Sequence, residues 1–269
     1  MSAVYLNTFA EGATIGNPEE IDARQLPLIA RTWKRSHAIV HYELFGTETI
    51  EWKGIRKEFL IGDIGSAKLL LPRDPEFSGL LPDERPDRLL SHRIAAVVED
   101  YDLTDEANRI LVLNRKKALD RLQELNARRL VEGEKAYGVI QATTRGAYLM
   151  NVGGYNALMP RFWYDWDSSK RGSIGEGFEV LVRIKRDGRI IVSRCHLLPN
   201  PLDHIHLSRG ARVRARITHI SRGTFQAEIQ PGVRVRVLTP TMYRMIHVGD
   251  HIMVEIRDKE QQEFVGVVV

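Results

Sequence analysis

The clearest pattern along the chain is a strict alternation at residues 212–217, Arg212-Val213-Arg214-Ala215-Arg216-Ile217. Successive strand side chains point to opposite faces, so the three arginines share one face while Val213, Ala215 and Ile217 share the other. Arg234 and Arg236 alternate with Val233, Val235 and Val237 in the same way. In the first half, short apolar runs bounded by turn residues predict strands at Ala38-Ile39-Val40, Phe59-Leu60-Ile61, Lys68-Leu69-Leu70-Leu71, Ile94-Ala95-Ala96-Val97-Val98 and Ile110-Leu111-Val112-Leu113. The period changes at residues 115–130, where Ala118, Leu119, Leu122, Leu125 and Leu130 stand among charged residues as a helical stripe and Gly133 supplies a stop. The first 35 residues, with Gly12, Gly16 and Pro18 followed by an apolar set Ile21, Leu26, Ile29 and Ala30, read as an arm or cap.

Strand-like pieces recur in a fixed order. Residues 138–194 run Gly138-Val139-Ile140, Arg145-Gly146-Ala147-Tyr148, Ala157-Leu158-Met159-Pro160, Gly177 into Val180-Leu181-Val182, and Arg189-Ile190-Ile191-Val192-Ser193-Arg194. Lys68-Leu69-Leu70-Leu71-Pro72 answers Ala157-Leu158-Met159-Pro160, and Ile110-Leu111-Val112-Leu113-Asn114-Arg115 answers the closing run. A third copy fits the end of the chain: residues 213–220, Gly223-Thr224-Phe225, Val235-Arg236-Val237-Leu238-Thr239-Pro240, Gly249 into Ile252-Met253-Val254, and residues 264–269.

That order resembles the RNA-binding repeat of ribosomal protein S-one, a small five-stranded OB-fold barrel; the likeness is clearest at residues 134–196 and degenerate in the flanking copies. It implies an all-β chain of three tandem five-stranded OB-fold barrels with an N-terminal arm and one linker helix. The expected layout is an arm at 1–35, an acidic degenerate barrel at 36–114, the helix at 115–133, the S-one-like barrel at 134–198 and a basic barrel at 208–269. The link at 197–208 contains Pro199 and Pro201 and is too short for a helix of any length.

Composition narrows the class. The 269 residues suit two or three small domains, no run of about 18 apolar residues predicts a membrane span, and residues 1–6 lack the basic start and apolar core of a signal peptide. Cys195 is the single cysteine, which excludes an internal disulfide framework and a multi-cysteine zinc site. The cytoplasm is the expected compartment. Net charge is +4, unevenly spread: residues 1–133 hold 19 Lys and Arg against 22 Asp and Glu, while 134–200 and 208–269 each hold 10 against 6. The basic character belongs to the back half.

Candidate chemistry follows from that division. Arginine keeps its charge, forms two-pronged hydrogen bonds to phosphate and stacks on bases, so Arg212, Arg214, Arg216, Arg234 and Arg236 on one outer surface suit a polynucleotide backbone. The competing reading is a solvated face paired with Glu228, Asp250 or Glu255. The resemblance adds Tyr148 as a base-stacking position, Arg145 where the family often has an aromatic, Arg161 after the Leu-x-Pro and Arg194 at the end of the last strand. Phe225 holds the same post-glycine place as Tyr148. The cluster Phe162, Trp163, Tyr164 and Trp166 suits either loop packing or a stacking platform. The first copy carries few arginines, and its long loop holds Asp74, Glu76, Asp83, Glu84 and Asp87; it reads as a protein-docking barrel or as a spacer.

Other constellations carry less. Gly172-Ser173-Ile174-Gly175-Glu176-Gly177 lacks the Lys-Ser/Thr of a phosphate loop and precedes a strand, His204 and His206 sit on a linker, and Asp100, Asp102, Asp105 and Glu106 suit a solvated hairpin. The expectation is a protein with no catalytic set, cofactor or metal that binds RNA or single-stranded DNA, in translation or transcript handling. A protein-binding adaptor in a translation, transcription or replication assembly, and single-stranded DNA binding for a mobile element or phage, stand as alternatives.

Overall fold

The computed structural model describes residues 10–12, 21–80, 84–90, 92–186, 189–221, 224–238, 246–260 and 263–269. Gly16, Pro18, Asp83, Gly223 and Thr239-Pro240 lie outside the described residues. Packing divides the chain into two compact units, one of Met1–Met159 with Ser173–Val192, the other of Pro160–Gly172 with Ser193–Val269. No helix among the described residues is long and apolar enough to cross a membrane.

In the first unit, helix α1 (Leu26–Ser36) precedes strands β1 (Val40–Trp52), β2 (Ile55–Asp63), β3 (Lys68–Pro72), β4 (His92–Asp102) and β5 (Ile110–Asn114), with the single-turn α2 (Pro75–Ser78) after β3. These strands close in the order β1-β2-β3-β5-β4, with β3 and β5 parallel. That is the connectivity of an OB-like barrel. The first two strands run well past their predicted apolar cores. A two-residue turn at Lys53 (φ 52°) and Gly54 (φ 77°) pairs Trp52 with Ile55, as primed hairpin turns do. The extension was hidden because Glu51, Arg56, Lys57 and Glu58 are polar on both faces of the ribbon.

The apolar stretch of β4 is buried along its whole length because it has two jobs. Ile94, Ala96 and Val98 enter the barrel core, whereas Ala95 and Val97 meet Ala118 and Leu122 of α3 (Arg115–Asn126). Ile21, Leu26 and Ala30 also enter the barrel core, so the arm ends as a cap. The Asn114 side chain accepts from Lys117 N at 3.0 Å and starts α3. Of the predicted stripe, Leu125 is half exposed and Leu130 is buried beyond the helix end.

The middle sheet comprises β6 (Lys135–Thr143), β7 (Ala147–Val152), β8 (Tyr155–Pro160), β9 (Gly177–Arg186) and β10 (Arg189–Ser193), in the same order, with β8 and β10 parallel. It packs against α3 through the β7–β8 turn. A methyl group at Gly154 (φ +86°) would come within 2.6 Å of Leu122 Cβ and 2.8 Å of the Leu119 carbonyl. Glu11, fully buried, fastens the arm to this unit. Its carboxylate accepts from Arg115 Nε at 2.5 Å and Nη2 at 2.7 Å, from Gln141 Nε2 at 2.5 Å and from Ala95 N at 3.3 Å. Its backbone N–H donates to Asn151 Oδ1 at 3.0 Å.

The second unit holds the remaining five-stranded barrel, β11 (Arg212–Ser221), β12 (Thr224–Gln230), β13 (Val233–Leu238), β14 (His251–Lys259) and β15 (Phe264–Val268), closed in the order β11-β12-β13-β15-β14. Ala215, Ile217, Phe225, Ala227, Val235, Val237, Val254 and Phe264 fill it, and Leu202 joins them from the link. Residues 160–172 pack with this barrel, so the unit boundary departs from the predicted 134–198 module. The reason is the aromatic content of that loop: Trp166 lies against the β12–β13 turn, where a side chain on Gly232 (φ +83°) would come within 3.1 Å of Trp166 Cβ.

Candidate nucleic-acid interface

The outer face of the last barrel is built by parity. On β11, Ala215 and Ile217 are buried and Arg212, Arg214 and Arg216 are exposed, as the alternation predicts. Register extends the row across the sheet: Arg216 stands opposite Glu228, and Glu228 opposite Arg234. A bulge between Ile217 and His219 resets the pairing, so that the next row is His219, Gln226 and Arg236.

The five arginines do not form one row of unengaged charge. Arg212 Nε lies 3.6 Å from Glu255 Oε2, and Glu255 also meets Arg257 at 3.1 Å. Arg236 donates to Glu263 at 3.0 Å and to Glu260 at 2.5 Å, and Arg234 Nη2 donates to the carbonyls of Phe162 at 3.3 Å and Trp166 at 3.4 Å. The outer face of β13 is thus occupied by the loop at 160–172 and the β14–β15 hairpin, which sequence spacing does not reveal. Arg214 and Arg216 have no partner among the described residues.

Beside this row lies a groove of about 1070 Å³, all of it within the second unit. One wall is aromatic. After β8, the short turn Arg161–Trp163 leaves Phe162 56% exposed, with its ring edge-on to Trp163 at 5.7 Å. Trp163 in turn meets the His196 ring edge-on at 5.5 Å, and Trp166 lies 5.7 Å from the same imidazole. His196 is steadied by Ser193 Oγ, 2.5 Å from Nδ1, and the buried Cys195 Sγ lies 3.5 Å from the same nitrogen. Thr218, His219, Gln226 and Arg234 from the barrel, with Lys259, Glu260 and Glu263 from the hairpin, complete the lining. The groove therefore combines rings, a fixed guanidinium and carboxylates. The aromatic cluster divides by burial: Tyr164 and Trp166 are buried, Trp166 Nε1 donating to Leu198 O at 3.3 Å and its ring still bordering the groove, while Phe162 is exposed and Trp163 half-buried.

Several expected positions are elsewhere. Tyr148 is 1% exposed and Phe225 6%, both inside their barrels, so neither ring is available for a base. The parity signal was present: Tyr148 shares its face with Met150 and Val152, and Phe225 with Ala227, as core residues do. Arg145 is exposed at the β6–β7 turn. Arg161 is half-buried, and the Arg194 guanidinium lies 4.6 Å from the centre of the Tyr164 ring, a stacking contact within the protein. On the middle sheet, Gln141 and Asn151 hold Glu11, so that outer surface is taken by the arm. In the acidic loop of the first barrel, Asp74 pairs with Lys57 at 3.0 Å and Glu84 pairs with Arg88. His196, Gln226, Lys259, Glu260 and Glu263 had no local signature, since only the fold brings them to one groove.

No family model matches the chain, and no curated protein does. Among solved structures it is similar to a multidomain protein with nucleic acid binding domains from Streptococcus pneumoniae TIGR4, at 8% identity over 86% of this chain and 73% of the other, TM-score 0.22. It is also similar to Drosophila Unr CSD456, at 14% identity over 86% of this chain and 96% of the other, TM-score 0.19.

Proposed function

We propose that the protein binds single-stranded nucleic acid, RNA or DNA, without catalysing a reaction, and that the last barrel carries the site. Arg214 and Arg216, with Arg212 beside them, take phosphate, and the ring-lined groove takes bases. The observation that supports this most directly is that Arg214 and Arg216 stand exposed and unengaged among the described residues on the outer face of β11, in the same unit as a groove lined by Phe162, Trp163 and side chains of the barrel. In OB-fold barrels the face of the second and third strands with the adjoining loops holds oligonucleotides, and here Gln226 of β12 and Arg234 of β13 line the groove. The S-one-type reading of residues 134–196, the OB reading of all three sheets and a role in translation or transcript handling belong to the same proposal. Arg145 remains a candidate contact by its exposure.

The test is fluorescence anisotropy with labelled oligo-U and oligo-dT of about 12 nucleotides across a salt series. Two phosphate contacts give a log–log slope of about −1.4 and three about −2.1, at about 0.7 per contact on a single strand. Arg214→Glu with Arg216→Glu is expected to lower affinity more than about tenfold and flatten the slope, with thermal stability unchanged because neither side chain has a partner to lose. An affinity and slope equal to wild type in that variant would overturn the assignment. The ratio of oligo-U to oligo-dT affinity separates RNA from DNA binding.

A further inference from the structure

The geometry points to guanine as the base held in the groove of the last barrel, a specificity that rests on the nucleic-acid reading above. Glu260 and Glu263 of the β14–β15 hairpin line the groove. Arg236 holds each carboxylate through one oxygen, Glu260 Oε1 at 2.5 Å and Glu263 Oε1 at 3.0 Å. The second oxygen of each has no partner among the described residues. The groove's other cations are held in place by main-chain carbonyls: Arg234 donates to Phe162 O and Trp166 O, and Lys259 Nζ donates to Leu202 O at 3.0 Å.

An ionised carboxylate offers only acceptors, so it repels phosphate and favours a base edge that presents donors. Guanine alone among the four bases carries two adjacent donors, N1–H and the N2 amino group, on its Watson–Crick edge. Adenine and cytosine each set one amino donor beside a ring-nitrogen acceptor. Uracil sets one N–H between two carbonyls. A base lying against Phe162 and Trp163, edge toward the hairpin, is therefore selected for guanine and against uracil, while the phosphates keep to the side of Arg214 and Arg216. Arg216 and the groove-lining Arg234 belong to one cross-strand row, with Glu228 between them.

The experiment uses the full chain and a fluorescein-labelled oligo-U of about 12 nucleotides, unsubstituted or with one central guanosine, inosine, adenosine or cytidine, together with the matching oligo-dT series. Guanosine is expected to bind about tenfold tighter than uridine, and inosine, which lacks the N2 amino group, to lose most of that gain. The inosine comparison needs no variant. Glu260→Gln with Glu263→Gln is expected to erase the guanosine-over-uridine ratio, which is read as a ratio because the same change releases Arg236 and shifts the affinity for every oligonucleotide. A ratio within about twofold in wild type, or one that survives both substitutions, overturns the guanine assignment and leaves the nucleic-acid reading standing. Failure to bind any oligonucleotide removes that reading and this inference with it.

Discussion

Replacing Glu11 with alanine strips the first unit of the acceptor at the centre of its polar interior. The carboxylate is fully buried, and Arg115 is 5% exposed. Without Glu11, the guanidinium keeps a single bond to Ser78 O at 2.8 Å, and the Gln141 amide and Ala95 N–H lose their acceptor as well. Breaking one side of a buried ion pair costs about 3–5 kcal/mol, because the surviving charge is left in the interior. A neighbouring cavity of about 210 Å³, lined by Glu11, Arg93 and Gln141 among others, has room for water to take over part of the hydration. The lower end, about 3 kcal/mol, is therefore the expected loss.

In a body of roughly 150–250 residues each kcal/mol moves Tm by about 2–4 °C, so Glu11→Ala should lower it by about 6–12 °C. Calorimetry of the full chain reads this directly. The decisive comparison is a double-mutant cycle with Arg115→Met. Glu11→Ala/Arg115→Met removes both charges and should be more stable than the sum of the single changes predicts, by about 1 kcal/mol or more. A Tm within about 3 °C of wild type for Glu11→Ala, or strict additivity in the cycle, would refute the account of Glu11 as the clasp between arm, α3 and β6.

Three further outcomes follow from particular contacts. Gly154→Ala places a side chain at φ +86° against Leu122 and the Leu119 carbonyl, and should cost about 2–4 kcal/mol in urea unfolding, with the loss confined to the first unit. Asp100 is pushed upward by burial but more strongly downward by its hydrogen bonds to Lys34 and Lys53, to about 2 against an ordinary 3.8. A depressed carboxylate stabilises the fold above its unfolded value and loses that contribution as pH falls through its folded one. Asp100→Asn should therefore cost about 1 kcal/mol at neutral pH, the lysines being open to water, and nothing once pH has dropped from 3.8 to below about 2. Phe162→Ala should weaken oligonucleotide binding by about 1–3 kcal/mol with little change in Tm, whereas Tyr148→Phe should leave binding unchanged.

The legible parts of this chain were those whose pattern is local. Alternation at 212–217 placed Arg212, Arg214 and Arg216 outside and Ala215 and Ile217 inside, because strand parity needs only neighbouring residues. The stripe Ala118 and Leu122 likewise announced a helix face. Less legible was what covers each outer face. Glu11 meets Arg115 across 104 residues and looks like any charged residue of a polar arm. Residues 160–172 stand in sequence between β8 and β9 yet pack with the last barrel, and their carbonyls engage Arg234 on a strand some 70 positions away. Tyr148 and Phe225 were misplaced for a different reason: family position outweighed parity, although each sits in phase with core residues.

The middle and last sheets share a strand order. On the middle sheet, Gln141 and the neighbouring Arg115 are answered from within, by the carboxylate of Glu11. On the last, Glu228 answers the Ser168 and Gly232 N–H groups, Glu255 meets Arg212, and the hairpin acids hold Arg236, but no carboxylate reaches Arg214 or Arg216 among the described residues. A buried donor set without an acceptor is costly, so the internal anion stabilises the first unit. An exposed arginine costs almost nothing to leave unpaired, since water solvates it. Donors covered by protein are thus answered from within, whereas Arg214 and Arg216 face solvent, where the polyanion proposed above would meet them.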